Sequence, residues 1–159
     1  MRYRFILWLL IIASLITIGG LSYLQSGRDI EATVWLRDIS PSAYYWLMAL
    51  ANNAPTIYLS GWVDFHLADI MWSASFAMII CGIWVNQIPF FKLLLVGIGC
   101  AIFYEVLQLF GVVKGTFDAL DLMYSLGAGA LGTTLTYYLL KKYKIKEQYN
   151  ENSGSRLSG

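Results

Sequence analysis

The sequence predicts an all-α integral membrane protein: a four-helix transmembrane bundle with an additional short interfacial helix in the first outer loop. Three observations carry that prediction. Hydrophobic residues make up 58% of the chain and aromatic residues 16%, and mean hydropathy is +0.58; a soluble core of this length cannot hide so much apolar surface. The apolar residues gather into runs of about 20, the length that crosses a hydrocarbon core. Lysine and arginine concentrate on one side of those runs. At 159 residues the chain is one domain.

The elements follow in order. Arg2 and Arg4 precede an apolar run over residues 5–24. A secretory signal shares the basic flank but has a shorter core, and no clean Ala-x-Ala accompanies Gly19, Gly20 and Ser22, so an uncleaved first span is the preferred reading. Residues 25–64 form a mixed connection carrying Arg28, Asp29, Glu31, Arg37 and Asp38, too long to lack structure of its own. Within it Ser40-Pro41 is a helix start, and the segment 41–51, with Tyr44, Tyr45 and Trp46, is too short to span. It is expected to lie along the outer interface and roof a polar pocket, with Tyr58 and Trp62 at headgroup depth. Further spans are expected over 65–85, 90–110 and 120–140, the first two joined by a tight turn at Asn86–Pro89. Residues 141–159 read as a polar cytoplasmic tail without fixed structure beyond its first turn or two.

Orientation follows from the basic residues. With an even number of spans both termini share a side, and that side collects Arg2, Arg4, Lys92, Lys141, Lys142, Lys144 and Lys146, against Arg28, Arg37 and Lys114 opposite. Both termini are therefore placed in the cytoplasm. A net charge of +1 gives no reason to expect nucleic acid as a partner; membrane lipids are the expected surroundings. Cys81 and Cys100 sit in apolar runs and read as small hydrophobes. Asp64, His66 and Asp69 have metal-ligand chemistry, but their spacing matches no strong motif, and no metal or cofactor is expected.

Against this apolar background the polar residues converge. Asp64, His66 and Asp69 open the second span, Glu105 and Gln108 close the third, and Asp118 and Asp121 open the fourth, all at the outer end. Ionisable groups inside spans are expensive, about 2.5–3.5 kcal/mol each at the bilayer centre, which makes them candidates for function. Helical spacing aligns His66, Asp69, Ser73 and Ala77 on one face. It likewise aligns Gly97, Ala101, Glu105 and Gln108, and Asp118, Asp121, Ser125, Gly129 and Thr133, with Ala128 and Gly132 beside them. Each polar group thus crowns a stripe of small residues, the kind of face along which membrane helices approach closely. Plainer roles compete at each position. Asp118 suits a helix N-cap and Asp121 a dipole partner; His66 suits a bond to a backbone carbonyl; Glu105 suits a pairing with Lys114 or a purely structural, neutral state.

The run Glu105-Val-Leu-Gln108, the basic Lys114, and Asp121-Leu-Met-Tyr-Ser125-Leu-Gly-Ala-Gly-Ala-Leu-Gly132 resembles the VanZ-like family of small bacterial membrane proteins. That family shows Glu-x-x-Gln near the end of one span, a basic turn residue, Asp-x-x-x-Asn and a Gly-Ala…Gly helix, with an earlier Asp and His matched here by Asp64 and His66. Here lysine stands where arginine is usual, removing a planar bidentate donor. Ser125 stands where asparagine is usual, and Asp64 and His66 are closer together than in the family pattern. The resemblance implies a four-span protein of the bacterial cytoplasmic membrane; the founding member is associated with low-level teicoplanin resistance, and no reaction is firmly attached to the family.

Two classes of function are consistent with these residues. One is a non-enzymatic envelope protein whose outer acidic pocket (Asp64, His66, Asp69, Glu105, Gln108, Lys114, Asp118, Asp121 and Ser125) binds an amphiphilic or lipid-linked ligand or a membrane protein partner. The other is a membrane-embedded enzyme acting on a lipid-linked head group, with Glu105 as general acid/base and His66 or Asp121 assisting. A proton- or cation-coupled transporter ranks behind both, because the acids cluster at one end and leave no relay across the membrane.

Overall fold

The computed structural model describes residues 2–27, 31–57, 61, 66–113 and 117–155. Those residues form helices and short turns with no strand among them: α1 (Arg2–Ser26), α2 (Glu31–Ile39), α3 (Pro41–Asn53), α4 (Ala68–Trp84), α5 (Phe90–Leu109) and α6 (Ala119–Ser155). The long helices pack as an up-and-down bundle. α6 lies against both α4 and α5, α4 against α5, and α1 chiefly against α4. Among the described residues α1 and α5 share no extended contact, which leaves a gap between them over α4.

Two of the helices, over Tyr3–Ser26 and Phe90–Leu109, are long and apolar enough to cross a membrane. α4 is apolar but only 17 residues long, although a π-helical turn at His66 and Leu67 extends it at its start. α6 has 37 residues, about 55 Å of helix, but its glycines, threonines and tyrosines dilute its apolar character.

The tail is where expectation and structure part. Residues 141–155, expected to lack fixed structure beyond their first turn or two, continue α6 as helix. The physical reason is local: lysine, glutamate and glutamine are good helix formers, and extending an existing helix avoids the cost of nucleation. α2 was also not anticipated. Its Thr33, Val34 and Trp35 are mediocre helix formers on their own, and it gains its support by packing on α3.

Local chemistry explains where the helices stop. Pro41 supplies the first turn of α3, whose last turn is closed by Asn53 Nδ2 donating to the Ala49 carbonyl at 2.8 Å. Between α4 and α5 the chain turns over residues 85–89, with Gln87 N–H donating to the Trp84 carbonyl at 2.9 Å. α5 ends in a Schellman motif. Gly111 takes φ +66°, its N–H donates to Gln108 O, and Val112 N–H donates to Leu107 O, both at 2.9 Å. A left-handed residue is required there, and glycine adopts it without a Cβ clash.

The core divides along the bundle axis. Toward the end bearing Arg4, Lys92 and Lys141 it is apolar, built on Trp8, Ile12 and Met78 in one cluster and Cys81, Val85 and Leu93 in another. There Trp8 Nε1 donates to Thr136 Oγ1 at 3.1 Å, tying α1 to α6, and Lys141 Nζ donates to the Val85 carbonyl at 3.4 Å. Toward the other end the buried positions are small: Ser73 and Ala77 on α4, Gly97 and Ala101 on α5, Ser125, Ala128, Gly129 and Gly132 on α6. These are the faces that helical spacing selects in the sequence.

Candidate functional site

The small-residue half of the bundle brings the ends of four helices together. α1 and α5 finish there, α4 and α6 begin there, and the up-and-down order alone therefore gathers Tyr23, Asp69, Glu105 and Asp121 at one level. Between them lies a cavity of about 360 Å³ lined by Tyr23 of α1, Asp69, Trp72, Ser73 and Phe76 of α4, Cys100, Ala101, Tyr104 and Glu105 of α5, and Ser125 of α6. It occupies the gap over α4 that α1 and α5 leave open. Phe76 and Tyr104 are lining residues and yet about half exposed (49% and 48%), so the cavity opens sideways past them, through the gap between α1 and α5.

The polar groups are held by specific partners. Tyr23 Oη donates a short hydrogen bond to Asp69 Oδ1. His66 Nδ1 meets Asp121 Oδ1 at 2.5 Å, and the imidazole also packs against the Tyr124 ring with centroids 5.1 Å apart. Ser73 Oγ donates to Ser125 Oγ at 2.9 Å and approaches the Ala101 carbonyl at 3.2 Å, joining α4, α5 and α6 at the cavity floor. Glu105 is only partly satisfied, its carboxylate taking the Asp118 backbone N–H. It is 5% exposed, and its Oε2 is sealed from solvent and has no hydrogen-bond partner; the same holds for Trp72 Nε1. A native fold leaves few buried polar atoms unsatisfied, and each one calls for an explanation.

The residues singled out in the sequence do not all meet. Asp69, Glu105 and Ser125 line the cavity. His66 and Asp121 form a pair on its rim without lining it. Asp118 is exposed and caps α6, its Oδ1 accepting from Leu120 N–H at 2.8 Å, which is the helix-cap alternative open in the sequence. Gln108 is half-buried on the last turn of α5 and does not line this cavity. Asp64 and Lys114 lie outside the described residues, as do Tyr58 and Trp62.

The expectation that Tyr44, Tyr45 and Trp46 roof the pocket is corrected: no residue of α3 lines it. α3 is tied instead to the end of α1, where Gln25 Nε2 donates to the carbonyls of Ala51 and Pro55 and Gln25 Oε1 accepts from Ile57 N–H. That clamp holds α3 against the end of α1. The aromatic wall of Tyr23, Trp72, Phe76 and Tyr104 was missed in the sequence. The available signal was spacing, since Asp69, Trp72 and Phe76 fall on one helical face.

Among the described residues no three His, Cys, Asp or Glu side chains are grouped to hold a metal ion. The arrangement offers an aromatic-walled cavity, one sealed carboxylate oxygen and one sealed indole N–H. Two substitutions separate pairing from capping. His66→Ala, which leaves Asp121 without the imidazole, is expected to destabilise the protein by about 1–3 kcal/mol. Asp118→Ala is expected to cost about 1 kcal/mol through the lost cap. Thermal melts of the purified variants check both. Comparison with protein-family models, curated proteins and solved structures returned no match.

Proposed function

We propose that the chain is a VanZ-like protein of the bacterial cytoplasmic membrane, crossing it with α1, α4, α5 and the first part of α6, and that its lateral cavity binds an amphiphilic or lipid-linked molecule at the outer side. Support for α4 and α6 as spans comes from the large apolar side chains they leave uncovered: Phe76, Ile83 and Trp84 on α4, and Leu131, Leu135 and Tyr138 on α6. Water is a poor neighbour for such belts, and lipid a good one. Support for the orientation comes from Arg4, Lys92 and Lys141 at the end away from the acids. On this reading any effect on teicoplanin susceptibility would be a consequence of what the cavity holds.

The observation that carries the binding reading is the cavity mouth. It opens through the gap between α1 and α5, past Phe76 and Tyr104 on an apolar flank, so a ligand arrives from the bilayer, tail and head together. Photo-crosslinking with a diazirine-bearing fatty alcohol tests it. Adducts are expected to concentrate at Phe76 and Tyr104 and to fall when unlabelled fatty alcohol competes. Equal labelling of Leu131 and Tyr138, on the exposed flank of α6, would leave only generic lipid contact.

A second reading, an enzyme acting on a lipid-linked head group, is favoured by the His66–Asp121 pair. A carboxylate on Nδ1 orients an imidazole for proton exchange through Nε2. It ranks second because neither residue lines the cavity that Glu105 does.

A further inference from the structure

The cavity wall indicates which head group it suits. Glu105 is nine-tenths buried and more, and its Oε2 accepts no hydrogen bond; Trp72 Nε1 is a sealed donor in the same wall. The carboxylate takes the backbone N–H of Asp118 and is still one donor short at Oε2. The surroundings define the donor further. Asp69 shares the cavity wall with Glu105, so the field there is negative, and no lysine or arginine lines the cavity among the described residues. An anionic head group would meet that field unfavourably. A hydroxyl would supply a hydrogen bond and no charge. A protonated amine supplies both, and charge-assisted bonds are the stronger kind. The rings of Trp72, Phe76 and Tyr104 suit the same ligand, since aromatic faces attract cations as well as alkyl chains.

Resting on the amphiphile-binding reading above, we propose that the cavity selects an amphiphile bearing a primary ammonium group. Its N–H donates to Glu105, and the tail leaves past Phe76 and Tyr104.

The test uses the full-length protein in phosphatidylcholine nanodiscs and four probes of equal chain length: dodecylamine, dodecyltrimethylammonium, dodecanol and dodecanoate. Affinity is read by native mass spectrometry as one-to-one adducts. Dodecylamine is expected to bind about tenfold more tightly than dodecanol, with dodecyltrimethylammonium weaker than dodecylamine and dodecanoate weakest. Glu105→Gln is expected to remove that advantage while leaving dodecanol within about twofold of its wild-type affinity. Equal binding of amine and alcohol by the wild-type protein would overturn the ammonium inference and leave the amphiphile reading standing. Binding of the quaternary probe as tight as that of the amine would also overturn it, since that probe has charge and no N–H. Failure of all four probes would overturn both readings. The wild-type series decides the matter even where Glu105→Gln does not fold.

Discussion

Replacing Gly129 with leucine is expected to destabilise the bundle by about 3 kcal/mol or more, the upper end of what overpacking costs. The reason is the closeness of α5 and α6. A Cβ placed on Gly129 would stand 2.6 Å from Ala101 Cβ and 3.2 Å from both the Gly97 carbonyl oxygen and Ile98 Cα. Two of those three atoms are backbone, which cannot swing aside, so the helices must part. Because Ala101 also lines the cavity and receives Ser73 Oγ, their separation removes the cavity floor as well. Gly127, two residues earlier, is the control: nothing lies within 4 Å of a Cβ placed there. Gly127→Leu is expected to melt within about 0.5 kcal/mol of wild type. Equal melting of the two variants would show that α5 and α6 do not meet through Gly129.

The second large effect has the opposite sign. Glu105→Gln is expected to stabilise the purified protein by about 1–2 kcal/mol, read as a higher melting temperature. A sealed carboxylate oxygen without a donor carries a desolvation penalty that a neutral amide of the same shape largely avoids. A neutral glutamate kept for structure alone would also tolerate the change, so the melting temperature is read together with ligand binding. A group kept for binding carries its penalty until the ligand arrives. A lower melting temperature for Glu105→Gln would mean that the carboxylate already has a stabilising partner, and would assign it a structural role.

Much of the bundle was legible because its signals are one-dimensional. The apolar run before Ser26 and the one from Phe90 to Leu109 are marked by length and composition, and both are helices of spanning length. The small faces around Ser73, Ala101 and Ser125 follow from a helical repeat that needs no tertiary knowledge. The cavity is another matter. Its position depends on which helices leave a gap, and no local pattern states that α1 and α5 both lean on α4 without closing over it. Tyr23 illustrates the limit: as a tyrosine near the end of a span it reads as an interfacial anchor, and only the packing of α1 on α4 turns it toward Asp69. Asp118 and Asp121 show the same limit from the other side. Three positions apart on one helical start, one caps its own helix and the other reaches across to His66.

The most direct test of the central claim, that Glu105 is a ligand-binding group in a lipid-facing cavity, needs no added probe. The wild-type protein and Glu105→Gln are extracted from membranes under identical mild conditions, and native mass spectrometry reads what leaves with each. The expected result is a one-to-one amphiphile adduct on the wild type that is depleted about tenfold on Glu105→Gln, with the variant folded and melting no lower than wild type. The same adduct at the same occupancy on both proteins would contradict the account and leave Glu105 a structural residue.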